Sequence, residues 1–207
     1  MPRRYALGKR AEKAQETRRR IVEAAFALHD ERGVQGTKPQ EIAARADVAL
    51  TTYYKHFPTM GDLVRACGAR GMELTPPPDP AILAGLPQDP AVRIEAMVRA
   101  LFSFYEAREG FLYTGWTEER FIPEIQFGMA HLREMRAAFV RGALAGAEVG
   151  PEAVGVATAL GNFWAWRTLR REVGLTQEQA IEAVVKTVRH LAGTAAPAGG
   201  GAAPPTE

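Results

Sequence analysis

Apolar residues recur with the period of an α-helix along most of the chain, and no segment shows the alternation typical of a β-strand. Gly and Pro residues mark the ends of the periodic segments. The pattern therefore predicts an all-α protein without internal repeats. The predicted helices cover about residues 13–32, 39–46, 50–56, 59–72, 90–106, 123–145, 151–171 and 177–192.

Two segments interrupt this helical pattern. Leu74–Pro90 is rich in Pro, which excludes a regular helix, so we expect a linker with at most a short helical turn at residues 81–86. The second is an aromatic-rich stretch, Phe111–Phe121, which follows a break at Glu109 and Gly110. Asp89 before Pro90, and Thr176 three residues before Gln179, are helix-start signals for the helices that follow them.

The two short helices near residue 50 are arranged as a helix-turn-helix. The turn is formed by Ala46, Asp47 and Val48. In the second helix, Tyr53 and Phe57 lie one turn apart and are predicted to face inward. The outward face holds Thr51, Thr52 and Lys55, with Tyr54 and His56 at its edges. Hydroxyls, a cation and an imidazole suit contacts with base edges and phosphates, so this helix is predicted to read DNA.

The order of motifs around this helix-turn-helix resembles the tetracycline-repressor (TetR) family of bacterial transcription regulators. The resemblance covers roughly residues 15–66 and is carried by RRRIVEAAFAL (residues 18–28), Gly33, EIAARADV (41–48), TTYYKHFPT (51–59), Asp62 and Leu63. It implies a three-helix headpiece followed by a helical bundle that binds a ligand and dimerises. The corresponding domains are a mobile basic arm (1–12), the DNA-binding domain (13–58), the ligand-binding and dimerisation domain (59–193) and a disordered tail (194–207).

The chain departs from the family pattern at several positions of the headpiece. Asp47 stands where Gly is usual, and Asp can enter the left-handed region at modest cost. Ala49 cannot cap the recognition helix, and Met60 replaces a basic residue that would contact a phosphate. His29 occupies an inward position usually held by Phe, where a packed core histidine is the favoured interpretation.

DNA binding is the interaction that the resemblance and the charge distribution both favour. Residues 1–72 hold 14 Lys and Arg against 8 Asp and Glu, a net charge of +6, whereas the remainder of the chain carries −4. Because the net charge is positive only in the segment with the helix-turn-helix, a polyanion is favoured as the partner of that segment. Candidate DNA-binding residues are Gln40, Leu50, Thr51, Thr52, Tyr54, Lys55, His56 and Arg18.

In the family, the last two helices pair with their copies in a dimer, so a homodimer on a palindromic operator is expected. An Ala/Gly stripe and an apolar helix face fit this expectation, with ordinary monomer core as the alternative. The candidate interface residues are Ala157, Gly161, Ala165, Val184 and Val188.

The second half of the chain is rich in aromatic residues, which favours an apolar cavity for a small apolar or aromatic effector beside ordinary core packing. The resemblance implies that this effector would release DNA. Candidate ligand-binding residues are Tyr105, Phe102, Tyr113, Trp116, Phe127, His131, Asn162 and Trp166.

Two other functions remain open on the sequence, a DNA-binding regulator without a ligand and, much less favoured, a helical-bundle enzyme. We expect no catalytic residues, metal site or cofactor, because the four His lack metal-ligand spacing and no phosphate loop is present. The single cysteine, Cys67, excludes an internal disulfide and fits a reducing cytoplasm. No apolar run approaches the ~20 residues of a membrane span, and the basic N-terminus does not resemble a signal peptide. A cytoplasmic location is therefore expected.

Overall fold

The computed structural model of the protein describes the backbone of residues 3–193 and the side chains of residues 8–193. These residues form helices and no strand, which confirms the predicted all-α fold. Short turns connect the helices, and a 3-10 turn, Pro80–Gly85, lies within the predicted Pro-rich linker. No helix in this part of the chain is long and apolar enough to cross a membrane. The helices are α1 (Arg3–Arg32), α2 (Pro39–Arg45), α3 (Leu50–His56), α4 (Met60–Leu74), α5 (Pro90–Ala107), α6 (Glu109–Glu118), α7 (Pro123–Ala143), α8 (Pro151–Leu160), α9 (Phe163–Arg167) and α10 (Gln177–Leu191).

The chain divides into two compact units that differ from the predicted domains. The first unit contains the residues up to Pro77 together with Phe104–Arg133, and the second contains Pro78–Ser103 together with the residues from Glu134 onward. The predicted boundary after residue 58 is therefore not a boundary between compact units. Helix α6 packs on α1 within the first unit, so the first helix of the headpiece contacts a segment that is distant in sequence.

The headpiece core of the first unit follows the predicted inner faces. Ile21, Ala25 and Leu28 of α1 are buried together with Tyr53 and Phe57. Their spacing of three to four residues places each set on one face of its helix. This core fixes α3 against α1 and α4, so its opposite face is directed away from the core.

Side-chain caps start α4 and α10, the second of them at the Thr176–Gln179 pair that the sequence predicts. The Thr59 hydroxyl accepts the Asp62 N–H at 3.1 Å, and the Asp62 carboxylate accepts the Thr59 N–H at 3.3 Å. The same reciprocal pair joins Thr176 and Gln179 at 3.2 and 2.9 Å. These capping boxes satisfy backbone donors that the first helical turn leaves without partners.

Both ends of the chain bear on the sequence predictions. Helix α1 begins at Arg3, so the residues predicted to form a mobile basic arm are helical from that position on. Among the residues at the start of this helix, none breaks the pattern strongly, and Gly8 is tolerated within it at a modest cost. The predicted disordered tail, residues 194–207, lies outside the described residues.

The predicted helix over residues 151–171 is interrupted in the structure. Helix α8 ends at Leu160, and the Asn162 side chain accepts the Ala165 N–H at 2.8 Å to start α9. A short π-helical turn, Thr168–Glu172, follows. An Asn side chain competes for backbone hydrogen bonds and so favours a new cap over continued helix, which periodicity alone does not reveal.

The residues predicted to contact a second copy lie mostly inside one chain. Ala157, Gly161, Val184 and Val188 are buried in the second unit, and Ala165 is half-buried. A Cβ added at Gly161 would lie 3.0 Å from the carbonyl oxygen of Ala157 and 3.5 Å from Leu101. The close approach that this stripe allows is therefore a contact within the chain, and this set does not form an exposed interface.

Candidate DNA interface and effector cavity

Helix α3 presents one buried and one exposed face, as its sequence predicts. Tyr53 is 3% exposed and Phe57 1% exposed, and their ring centroids lie 6.4 Å apart. On the other side the predicted contact residues are accessible. Thr51, Tyr54 and Lys55 are exposed, and Leu50, Thr52 and His56 are half-buried; Gln40, on α2, is exposed as well.

The turn before α3 depends on one residue with an unusual backbone conformation. Asp47 has a φ of +52°, the left-handed conformation expected at the position where the family has Gly. The N–H groups of Asp47 and Val48 donate to the carbonyls of Ala44 at 3.1 Å and Ala43 at 3.0 Å, which closes the turn. Ala49 supplies no side-chain cap, also as predicted.

The cationic side chains of the headpiece differ in whether an acidic side chain neutralises them. Three arginines near the turn form ion pairs: Arg20 with Asp47 at 3.8 Å, Arg32 with Glu41 at 3.0 Å and Arg45 with Glu31 at 2.8 Å.

Arg18 and Lys55 differ from these three arginines in their contacts. The Arg18 guanidinium lies 4.8 Å from the centroid of the Phe57 ring, which places a cation of α1 beside the end of α3. Lys55 forms no ion pair with the described residues and is exposed. These two side chains therefore carry charge that a phosphate could compensate.

A second feature of the first unit is a cavity of about 140 Å³ between α1, α4, α6 and α7. Its walls are largely apolar. Four polar or charged side chains, His29, Asp30, Thr114 and Glu124, also line it. The apolar lining comprises Phe26, Val34, Val64, Cys67, Gly68, Met72, Phe111, Gly115, Ile125, Gly128, Met129 and Leu132.

Helix α6 contacts the end of α1 beside this cavity through three residues spaced four apart. The Glu118 carboxylate accepts the N–H of Val34 at 3.0 Å and of Gln35 at 3.2 Å, and the Thr114 hydroxyl donates to the carbonyl of His29 at 3.1 Å. At Gly110 an added Cβ would meet the Asp30 carboxylate at 2.6 Å. The spacing puts all three contacts on one face of α6, which ties the helix to the backbone that leads into α2.

Gly33 permits this contact in two ways. It has a φ of +81°, and an added Cβ would lie 2.2 Å from the Glu118 carboxylate. The sequence indicates Gly33 as the stop of α1 but gives no sign of its partner, because Glu118 resembles a solvated carboxylate in the pattern of its neighbours.

Burial shifts the pKa of two side chains that line the cavity. It lowers the pKa of His29 to about 4, so the imidazole is neutral at pH 7. It also raises the pKa of the Cys67 thiol to about 12, with a smaller contribution from Glu23. A buried thiol with a raised pKa stays protonated at pH 7, so Cys67 is a packed and unreactive side chain.

None of the eight predicted ligand-binding residues lines this cavity. Phe102, Tyr105 and Trp166 are buried as core, and the Trp166 indole donates to the Gln177 side chain at 3.1 Å. Asn162 acts as the cap of α9. The other four are more accessible: Tyr113, Phe127 and His131 are exposed, and the Trp116 ring is half-buried with the Arg133 guanidinium 5.3 Å from its centroid.

The residues that line the cavity could not be selected from the second half of the sequence alone. Phe26 and His29 come from α1, which the sequence assigns to the DNA-binding domain, and Val64 comes from α4, at the start of the predicted ligand-binding domain. The one available signal is His29, a polar residue at an inward position of an otherwise apolar face.

Comparisons with known proteins match the headpiece and the fold. Residues 21–67 match the sequence model of a family described as bacterial regulatory proteins, tetR family. A stretch of 92 residues is 35% identical to the HTH-type transcriptional repressor KstR of Mycolicibacterium smegmatis. That stretch is 44% of this chain and 44% of the relative, so the chain matches less than half the length of this curated protein.

Solved structures extend the likeness over most of the chain. A regulator from Saccharomonospora viridis, solved in complex with choline, matches with a TM-score of 0.64 at 21% identity, over 85% of this chain and 97% of that one. AibR, solved in complex with isovaleryl coenzyme A and operator DNA, matches with a TM-score of 0.61 at 20% identity, over 83% and 97%. At these identities the likeness is one of fold.

Proposed function

We propose that this chain, whose residues 21–67 match the TetR family of bacterial regulatory proteins, is a transcriptional repressor of that family that binds operator DNA through α3. The observation that carries the proposal is the construction of α3. Tyr53 and Phe57 anchor one face in the headpiece core, while Thr51, Thr52 and Lys55 on the other face lie outside it. This arrangement suits insertion of a helix into the major groove.

We propose that the protein acts as a homodimer on a palindromic site, because two headpieces are needed to read two half-sites one helical turn apart. Because the Ala/Gly stripe is buried within the chain, the contact with a second copy is expected to involve other side chains of the second unit. Val156, Trp164 and Leu191, on α8, α9 and α10, are 37%, 40% and 43% exposed in the single chain. Large apolar side chains at the surface of the last helices support association with a second copy.

A small molecule bound in the protein is proposed to release DNA. The likeness to AibR, whose solved complex contains both isovaleryl coenzyme A and operator DNA, supports regulation by a ligand. The contacts of Thr114 and Glu118 with the end of α1 support a route to the headpiece, since α6 lines the cavity and holds the backbone before α2. A ligand shifts such an equilibrium only by its preference for one of the two states.

Replacing Lys55 by Ala is expected to weaken binding to every duplex, because an exposed cation on α3 acts on phosphates and not on particular bases. The slope of log affinity against log salt concentration should fall in magnitude by about one unit per subunit. A salt titration by fluorescence anisotropy, with operator and random duplexes, measures both quantities. Lys186→Ala, an exposed lysine of α10, is the matched control and should bind like the parent. An unchanged salt slope in Lys55→Ala would exclude this helix from the groove.

Replacing Thr52 by Val is expected to act on the operator alone. The substitution keeps the shape and one methyl group but removes the hydroxyl, so a contact with a base edge is lost and phosphate contacts are retained. We expect a loss of about 1–3 kcal/mol on the operator and little change on random duplexes. The same anisotropy titration distinguishes this result from that of Lys55→Ala. Equal losses on both duplexes would contradict a role for Thr52 in reading bases.

A further inference from the structure

The cavity between α1, α4, α6 and α7 has one buried imidazole, that of His29, among its largely apolar walls. We propose that this cavity binds a small uncharged ring compound that carries one hydroxyl or carbonyl group, which forms a hydrogen bond with the imidazole of His29. This inference gives the effector of the proposed function a site and a chemical class. Binding itself does not depend on the DNA-binding function and can be tested without DNA.

The volume of the cavity sets the size of the ligand. It is about 140 Å³, and an apolar cavity of about 150 Å³ in another protein is large enough to bind benzene. Phe26 and Phe111 are stacked with their centroids 6.0 Å apart and supply aromatic wall surface. A single ring with one small substituent therefore fits the cavity, whereas a long acyl chain would have to extend out of it.

The two charged side chains that line the cavity are both acidic, so the lining favours an uncharged ligand over an anion. Asp30 and Glu124 are the charged side chains of its lining, and no Lys or Arg belongs to that lining. Glu124 is already paired with Arg65 at 2.9 Å. The Arg108 guanidinium lies 4.9 Å from the centroids of Phe26 and Phe111 but is not part of the lining. A carboxylate in the cavity would lose water and gain no lining cation.

His29 is the group best placed to bind a polar substituent. Its side chain is 8% exposed, lines the cavity and forms no hydrogen bond with the described residues. By contrast, the Thr114 hydroxyl is already used by the His29 carbonyl. Burial keeps the imidazole neutral at pH 7, so one ring nitrogen donates and the other accepts. A hydroxyl or a carbonyl of a ligand can each be bound by such a ring.

The position of His29 also relates the cavity to the DNA-binding helix. His29 and Val34 line a second space, of about 230 Å³, whose other walls include Tyr53, Phe57 and Leu63. A ligand that moves the imidazole therefore changes the packing on the inner face of α3. This consequence for DNA rests on the proposed function, whereas occupation of the cavity does not.

The test is a titration of the full chain, in the absence of DNA, with benzene, phenol and benzoate at pH 7.5. Methyl-labelled methionine gives local reporters, since Met72 and Met129 line the cavity and Met97 lies in the other unit. We expect benzene and phenol to shift the NMR signals of Met72 and Met129 and not that of Met97. Phenol should bind roughly two- to tenfold more tightly than benzene, which corresponds to one net hydrogen bond. Benzoate should not bind.

Two variants assign the binding to the proposed groups. His29→Phe should remove the preference for phenol over benzene, because the ring stays and the hydrogen bond is lost. Gly68→Leu should abolish binding of both compounds, since Gly68 lines the cavity and an added Cβ there meets no atom within 4 Å. Gly8→Leu makes the same change at an exposed helical position with open space and should bind like the parent.

The outcomes separate the inference from the proposed function. Three results would each overturn the inference. The first is that no probe shifts the signals of Met72 and Met129, and the second is that benzoate binds as tightly as phenol. The third is that His29→Phe still prefers phenol over benzene. Binding with the expected preference supports it, whether or not the compound releases DNA. A parent that binds phenol but retains its operator would count against the proposed effector mechanism alone.

Discussion

A Tyr53→Ala protein is expected to lose about 3–5 kcal/mol of headpiece stability, the range for truncation of a large buried aromatic side chain. Tyr53 is 3% exposed, packs edge-on against Tyr54 at 5.1 Å and lies in the same core as Ile21 and Phe57. The space left by the ring would join the space of about 230 Å³ that Tyr53 already borders, so little of the loss can be recovered by collapse. With α3 no longer fixed, operator binding should be lost as well.

The neighbouring tyrosine provides the control for this prediction. Tyr54 belongs to the same short helix but is 45% exposed, so Tyr54→Ala should change the free energy of unfolding far less. Its effect should fall on DNA affinity if its hydroxyl contacts a phosphate. Denaturant melts followed by circular dichroism, with operator binding measured beside them, separate the two variants. Equal melting midpoints for both variants would show that Tyr53 does not hold α3 in place.

The headpiece could be predicted from the sequence because its signals are local. Helix starts at Pro39 and Thr59, the turn at Asp47 and the alternation of inward and outward residues on α3 each depend on neighbours within a few positions. The structure agrees with each of them. The break in the predicted helix at Gly161 and Asn162 was missed because the side-chain cap competes with a periodicity that continues through it.

The cavity could not be predicted because it depends on which helices pack together. Its walls combine residues 26–34, at and just after the end of α1, with residues 64–72 of α4 and residues 111–132 of α6 and α7, and no local pattern links these segments. The Glu118 contact has the same origin, since its partners are backbone N–H groups 84 and 83 residues away. Ala157 and Val188, which were predicted to contact a second copy, are buried within one chain for a related reason. Small and β-branched stripes suit close packing equally well within a chain and between chains.

The stability of the protein is expected to depend on His29 between pH 6.5 and 4. Burial lowers the pKa of His29 in the folded protein to about 4, against an ordinary value of about 6.5 in the unfolded chain. Asp30 and Glu124 line the same cavity, and burial is the cause of the lowered pKa of His29. Between these two pKa values the unfolded chain binds more protons than the folded one. The free energy of unfolding therefore falls as the pH is lowered through this window, and the contribution is complete above pH 6.5.

Replacing His29 by Phe should remove this part of the pH dependence. A difference of about 2.5 pKa units corresponds to roughly 3 kcal/mol. Between pH 7 and pH 4, the free energy of unfolding of the variant should therefore fall by up to about that amount less than that of the parent. Urea melts at pH 4, 5, 6 and 7 give the free energies, and histidine ring NMR reports the titration directly. His131→Phe, at an exposed position of α7, is the matched control and should keep the parent's profile. If His29→Phe keeps it too, the imidazole is not buried in the folded state, and its role as the hydrogen-bonding group of the cavity loses its basis.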